Sequence, residues 1–412
     1  MMSNRSTWKC RISGEPLFPV LDFGLQPLGN GFLLPEQFDK EYFFHMQVGF
    51  DPESNMFQLL EQPNPEQMFH ENYAFFSGTS RFMALHFEEF ANRVKASGFL
   101  KADPFVVELG CNDGILLRHF AKEGMHHLGV EPSRNVATVA NEQGVSTISE
   151  FFTAELAEQI VKEHGQADAF LAANVMCHIP TIRNVVKGIK TLLKPTGVVQ
   201  FEDPYLGDVL RKTSYDQLYD EHVFLFSALS IQYLFALEDL ELIDLQPQGT
   251  HGGSMRYVLA HKGAYPQQPS VAAILSEEKA QGLDRPETFE VFAQRVARSK
   301  TELLELLSDF KRQGKKIAGY AATSKSTTIL NYCGIGPELI DYISDTTPIK
   351  QGKYTPGTHI PVKPYEHFQE NRPDYAVLFA WNHQQEILAK ELDYTQSGGQ
   401  WIVHVPKVQI LK

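Results

Sequence analysis

A glycine turn set between a strand and a helix constrains this chain more than any other feature. The apolar run FVVELG leads into Glu108-Leu109-Gly110-Cys111-Asn112-Asp113-Gly114, and the helical pattern ILLRHFAKEG follows. Gly110 and Gly114 let the backbone approach a ligand with no Cβ in the way. Strands and helices then alternate: HHLGVEP and NVATVANEQG, AFLAANV and TIRNVVKGIKTLLKPTG, the last helix stopping at its glycine, then the strand VVQFEDP. This alternation predicts an α/β fold with a parallel, doubly wound, Rossmann-like sheet. Ligands of such sheets sit outside the carboxyl ends of the strands.

The same turn selects among ligands. Dinucleotide folds use G-x-G-x-x-G and place a pyrophosphate on the helix N-terminus. Here the third-glycine spacing fails, and Asp113 brings negative charge to the place of the pyrophosphate. A cationic sulfonium with an amino-acid tail tolerates acids there, so the expected ligand is S-adenosylmethionine. Glu108 meets its ammonium group directly or through water. Glu131 ends the next strand, and an acid about 20 residues beyond the turn can bond both ribose hydroxyls. The alternative is that Glu131 caps the helix near Ser133. Phe151 and Phe152 either flank the adenine or are core aromatics. Gly110, Asn112, Gly114 and Asn174 complete the expected cofactor set.

A second constellation carries acid–base chemistry. Tyr219-Asp220-Glu221-His222 follows the fourth strand, and Asn174, Cys177 and His178 lie at an upstream strand end. Imidazole is the usual proton acceptor near neutral pH, and a phenol can donate to a developing oxyanion. His222 sits in the denser cluster and leads. His178 is as readily structural as catalytic.

Residues 1–65 read as a small irregular domain with strand-like VLDFG and YFFHMQVGF. Residues 66–97 read as helix, with Phe82, Leu85, His86, Phe87, Phe90 and Val94 as its apolar stripe. The cofactor domain is expected over 66–265. Beyond QGTHGG and a Pro/Gln stretch comes a long helix at about 285–313, then a second βα alternation. Residues 266–412 are therefore expected to form a second Rossmann-like domain. The net charge of −13, with no basic stretch, excludes a surface that tracks nucleic-acid phosphates. The four cysteines suggest no disulfide framework. The N-terminus lacks a signal-peptide core, and no apolar run approaches the roughly 20 residues of a membrane span. No membrane partner is expected, and the location expected is cytoplasmic.

The motifs FVVELGCNDGILL, HHLGVEPS, AANVMCHIP, FEDPYLGD, YDEHVFLFS, HGGSMRY, TTPIKQGKYTPGTHIPV and LFAWNH resemble the sugar C-3-methyltransferase family, and the resemblance covers nearly the whole chain. It implies a zinc-bearing N-terminal domain, a methyltransferase domain and a C-terminal Rossmann-like domain. The implied substrate is a nucleotide-linked 4-keto-deoxysugar, usually dTDP-linked, bound between domains and destined for branched deoxysugars. The 4-keto group acidifies the C3 proton, a base removes it, and the enolate attacks the methyl group of S-adenosylmethionine. By resemblance His222 is the base and Glu221 orients it or touches the sugar. Tyr219 and His178 surround the enolate oxygen or relay protons, and Tyr73 reaches in from the segment before the sheet. Ser324 and Lys325 hold a phosphate, although a plain βα turn with an exposed lysine also fits. Lys350, Asn382 and His383 face the same cleft.

Two departures qualify the resemblance. The family's paired C-x-x-C zinc ligands map onto Cys10, Ser13, Asp51 and Ser54, so no zinc is expected. The domain is then held by its core, with Phe43, Phe44, Phe50 and Phe57. Ala321 replaces the family's second glycine in Gly319–Lys325, so no NAD is expected there. The competing readings are a NAD-dependent sugar-nucleotide oxidoreductase, a noncatalytic sugar-nucleotide binder and an O-methyltransferase.

Overall fold

A computed structural model describes residues 8–64, 68 and 81–411. Three sheets organise the chain. The first is an antiparallel meander of β1 (Phe18–Pro27), β2 (Phe43–Asp51) and β3 (Met56–Leu59). Its fourth strand, β9 (Phe224–Leu225), comes from the middle of the chain, with Phe57 opposite Leu225. Residues 1–65 are thus more regular than the Pro/Gly-rich composition suggests, and the strand that completes their sheet begins two residues after His222. Phe44, Phe50 and Phe57 are buried as expected, but Phe43 is 42% exposed. In its place Phe289, from the long helix Pro286–Arg312, stacks on Phe50 with ring centroids 4.1 Å apart.

The second sheet has seven strands. β4 (Phe105–Leu109), β5 (His126–Val130), β6 (Thr147–Ile148), β7 (Ala167–Ala173) and β8 (Leu193–Pro204) are parallel, in the spatial order β6-β5-β4-β7-β8. β11 (Ser254–His261) inserts antiparallel between β8 and β10 (Leu240–Gln248). β4 is buried on both faces, which is why it reads as an apolar run interrupted only by Glu108. From β4 the chain winds outward to β6, then returns to β7 on the other side. That reversal opens a crevice above the carboxyl ends of β4 and β7. The helix expected to run to Gly197 ends instead at Leu192, and Leu193–Gly197 belongs to β8. Pro195 cannot continue a helix, and an extended backbone is open to it.

The helix expected over 66–97 is described as Arg81–Ala96. Phe87, Phe90 and Val94 face the sheet, whereas Phe82 and Leu85 are 48% and 57% exposed. His86, placed in the apolar stripe, is bonded to Glu202, and Glu202 also accepts from Arg256 Nη2 at 2.8 Å. A buried carboxylate paired with a guanidinium and bonded by an imidazole tolerates this loss of solvent. Tyr73 lies outside the described residues.

The third sheet, order β14-β13-β12-β15-β16-β17, comprises β12 (Ile317–Tyr320), β13 (Ile343–Ser344), β14 (Val362–Lys363), β15 (Tyr375–Leu378), β16 (Gln400–Val403) and β17 (Gln409–Leu411). All pairings are parallel except β16 with β17.

Candidate active site

A cavity of about 450 Å³ opens at the carboxyl ends of β4, β5 and β7. Six of the expected cofactor residues line it: Gly110, Asn112, Glu131, Phe151, Phe152 and Asn174. Gly110 has φ +66°, and a Cβ there would come within 2.4 Å of Val175. Gly114, at φ +78°, packs against Val145 behind the cavity and does not line it. Glu131 combines the two roles weighed for it. Its carboxylate accepts the Ser133 N–H at 2.9 Å and the Asn112 N–H at 3.1 Å while facing the cavity. Phe151 is 46% exposed at the cavity edge, and Phe152 is buried against Phe170 at 5.3 Å.

Glu108 sits behind the turn, buried. Burial, then the charge of Glu131, pushes its carboxyl up to about 8. A buried acidic pair of this kind is stabilised by a cation and destabilised by an anion. His251 also lines the cavity, in the left-handed region at φ +54°. His251 lies outside the expected site set, although HGGSMRY is among the motifs that carry the resemblance. A histidine between a strand end and two glycines was the available signal.

The second constellation lies beyond His178. The His222 Nδ1–H donates to the Gln217 carbonyl at 2.7 Å, because a carbonyl only accepts. The other nitrogen, Nε2, then accepts the Tyr219 hydroxyl at 2.8 Å in the neutral ring. Burial, then the charges of His178 and Lys325, holds the His222 pKa well below the ordinary histidine range. The His178 ring stacks on His222 at 5.2 Å and forms part of the cavity wall; burial pushes its pKa down to about 3. The group that orients His222 is therefore the Gln217 carbonyl rather than Glu221. Glu221 instead accepts the Asn30 side-chain N–H at 2.9 Å.

The helix Ser324–Cys333 brings the C-terminal residues to this place. Lys325 Nζ donates to the His251 carbonyl at 3.3 Å and lies 5.4 Å from the Trp381 ring. Burial pushes its pKa down, partly countered by Asp216. His383 feels the charge of Lys325, and its ring meets Phe82 edge-on at 6.0 Å. Asn382 is half-buried in the turn Trp381–His383. Lys350 Nζ donates to the Ala322 carbonyl at 2.8 Å; burial pushes its pKa down, partly countered by the charges of Asp345 and Glu221. Ala321 has φ +72°, a conformation glycine adopts without strain. Asp345 accepts the Ala322 and Thr347 N–H groups, each at 2.7 Å, as Glu131 holds Asn112 and Ser133.

The four positions aligned with zinc ligands do converge. Asp51 accepts the Ser13 hydroxyl at 2.6 Å and the Ser54 hydroxyl, and Cys10 Sγ is 3.5 Å from Ser54 Oγ. One thiol, one carboxylate and two hydroxyls that already satisfy one another do not fit a tetrahedral zinc site.

The doubly wound sheet, the glycine turn over an acidic pair and the cavity at the strand ends define an S-adenosylmethionine-dependent methyltransferase. Family models agree: a methyltransferase domain matches residues 80–245 and a C-methyltransferase C-terminal domain matches 249–406. A putative zinc binding domain matches residues 10–69. The C-methyltransferase NovU of Streptomyces niveus is 38% identical over 307 residues, covering 74% of this chain and 73% of that protein. The chain belongs to this family of C-methyltransferases. A ubiquinone biosynthesis O-methyltransferase of Acinetobacter baylyi is 29% identical over 153 residues, 35% of this chain and 54% of that protein. A solved S-adenosylmethionine-dependent methyltransferase of Anabaena variabilis covers 43% of this chain and 86% of its own, at 16% identity and a TM-score of 0.36. Among the described residues no helix is long and apolar enough to cross a membrane.

Proposed function

We propose that this enzyme removes the C3 proton of a nucleotide-linked 4-keto-deoxysugar and methylates the resulting enolate, dTDP being the expected nucleotide. Residues 66–265 hold the cofactor and residues 266–412 the nucleotide. The observation that carries the reading is the neutral Tyr219–His222 pair, its tautomer fixed by the Gln217 carbonyl, stacked behind His178 at the cavity wall. S-adenosylmethionine, when bound, supplies an electrophilic methyl on a sulfonium. Glu131 and Asn112 hold its polar end at the turn, and Glu108 acts on its charge from behind the turn. His222 Nε2 accepts the C3 proton, while the Tyr219 hydroxyl turns from Nε2 to the developing enolate oxygen. Ser324 and Lys325 take the diphosphate, with His383 and Asn382 beside them. Charge on that diphosphate offsets Lys325 and raises the basicity of His222 once substrate is bound. The N-terminal unit works without zinc. The four cysteines are buried and free, which suits the reducing cytoplasm.

The test is incubation with candidate dTDP-linked 4-keto-deoxysugars and methyl-labelled S-adenosylmethionine, followed by NMR of the product. A labelled methyl bonded to C3 is expected. A methyl on oxygen, or retention of NAD in place of S-adenosylmethionine, would overturn the reading.

A further inference from the structure

The turn Thr250–Gly252 joins the cofactor cavity to the C-terminal unit. His251 lines the cavity, and its backbone carbonyl accepts from Lys325 Nζ at 3.3 Å and from the side-chain amide of Gln217. The backbone carbonyl of that same glutamine orients His222. The turn, the lysine assigned to the diphosphate and the base are thus fixed to one another. The two glycines that follow are required by space. A Cβ on Gly252 would run into the Trp381 ring, and one on Gly253 into the Asp208 carboxylate. His251 is different. At φ +54° and ψ 17° it occupies the left-handed region, which glycine enters without strain and a side chain enters at a cost. Its carbonyl contacts need no side chain. The ring is what histidine adds to the turn, and that ring makes no hydrogen bond among the described residues. Burial, then the charge of Lys325, holds its pKa down at about 3. Near neutral pH the ring is uncharged and offers one donor and one acceptor.

We propose that His251 is a specificity-determining residue: its ring takes a hydroxyl of the sugar, between the diphosphate at Lys325 and the methyl donor in the cavity. The proposal rests on the reading of the substrate as a sugar nucleotide. A side chain whose own backbone is bonded to Lys325, and which lines the cofactor cavity, stands where the sugar ring linking the two ends must lie. An uncharged imidazole does not repel the sulfonium. A hydroxyl both donates and accepts, so it answers whichever ring nitrogen faces it. A polar group left unpaired on binding costs affinity, so substrates that lack the matching hydroxyl are disfavoured.

His251→Gly tests this by calorimetry, with S-adenosylhomocysteine present and a dTDP-linked 4-keto-deoxysugar or dTDP as the second ligand. The variant keeps the backbone carbonyl and relaxes the left-handed residue, so Tm stays near wild type. Affinity for the sugar nucleotide should fall roughly 3- to 10-fold, the scale of one neutral hydrogen bond. Affinities for dTDP and for S-adenosylhomocysteine should stay as they were. Analogues lacking one sugar hydroxyl at a time complete the cycle. Removing the matching hydroxyl should weaken binding to the wild type and leave binding to His251→Gly unaffected. Unchanged sugar-nucleotide affinity in His251→Gly would overturn the proposal, as would analogues that weaken both proteins alike. An equal loss for dTDP or S-adenosylhomocysteine, or a lower Tm with losses for all three ligands, would mark a nucleotide, cofactor or structural role and overturn it too. A wild type that binds the sugar nucleotide no better than dTDP would overturn the sugar reading itself, and this proposal with it.

Discussion

Glu131 and Glu108 show how single side chains set the cofactor end. Glu131 holds two backbone N–H groups and still faces the cavity. Replacing it with alanine removes the acceptor for both N–H groups and, on the proposed reading, the ribose contact. Charge-assisted bonds of this kind contribute about 1.5–3 kcal/mol, so calorimetry should show S-adenosylmethionine affinity falling at least about tenfold. Unchanged affinity would take Glu131 out of the cofactor site. Glu108 makes a second, independent prediction. With its carboxyl pushed up to about 8, it is largely protonated near neutral pH in the free enzyme. A cationic ligand lowers that value, so binding releases a proton and tightens as pH rises toward 8. Titrations in buffers of different ionisation enthalpy read the proton directly, and proton uptake would contradict the assignment.

At the scale of elements, the N-terminal unit carries a hydrogen-bonded cluster at the four positions aligned with zinc ligands. Asp51 accepts from two hydroxyls and from the N–H groups of Glu53 and Ser54. Asp51→Ala leaves the buried Ser54 donors without their acceptor and should cost about 1–3 kcal/mol, read as a lower Tm. Metal analysis of the purified protein should find no stoichiometric zinc, and one zinc per chain would contradict the hydrogen-bonded account. The strand–turn–helix at residues 105–121 was legible because its glycines, acids and apolar run are contiguous. Three things were not. β9 is two residues long and pairs across 168 positions of sequence (225 − 57), Phe57 to Leu225. The Gln217 carbonyl carries no residue-type signal as an orienting group. Asn30 reaches Glu221 through tertiary packing that no local pattern encodes. The apolar stripe on Arg81–Ala96 was half legible, since periodicity marks Phe87, Phe90 and Val94 but does not tell that His86 meets a buried Glu202.

For the whole molecule, the buried titratable groups give stability a predictable pH dependence. Burial pushes Glu108 and Asp203 each up to about 8, and Asp220 upward as well, in the last case helped by the charge of Glu221. Unfolded carboxyls titrate near 4. These groups therefore stabilise fully below that value and progressively less as pH rises to about 8. His178 and His251 are each depressed to about 3 by burial. Their contribution is present above the unfolded value of about 6.5 and is lost as pH falls. Between about 4 and 6.5 the two sets oppose each other, and above that only the carboxyls act. Calorimetric scans should show Tm declining from pH 6.5 to 8 and changing less below; a rise over the upper interval would contradict these assignments. On the proposed reading the three units converge on one proton, the one at C3, with His222 to take it. The most direct measurement is NMR of C3-proton exchange in deuterated water, with a dTDP-linked 4-keto-deoxysugar and S-adenosylhomocysteine but no methyl donor. The wild type should exchange that proton, and His222→Asn should slow the exchange about 10²- to 10⁴-fold while binding S-adenosylhomocysteine normally. Exchange at the wild-type rate in His222→Asn would contradict the account.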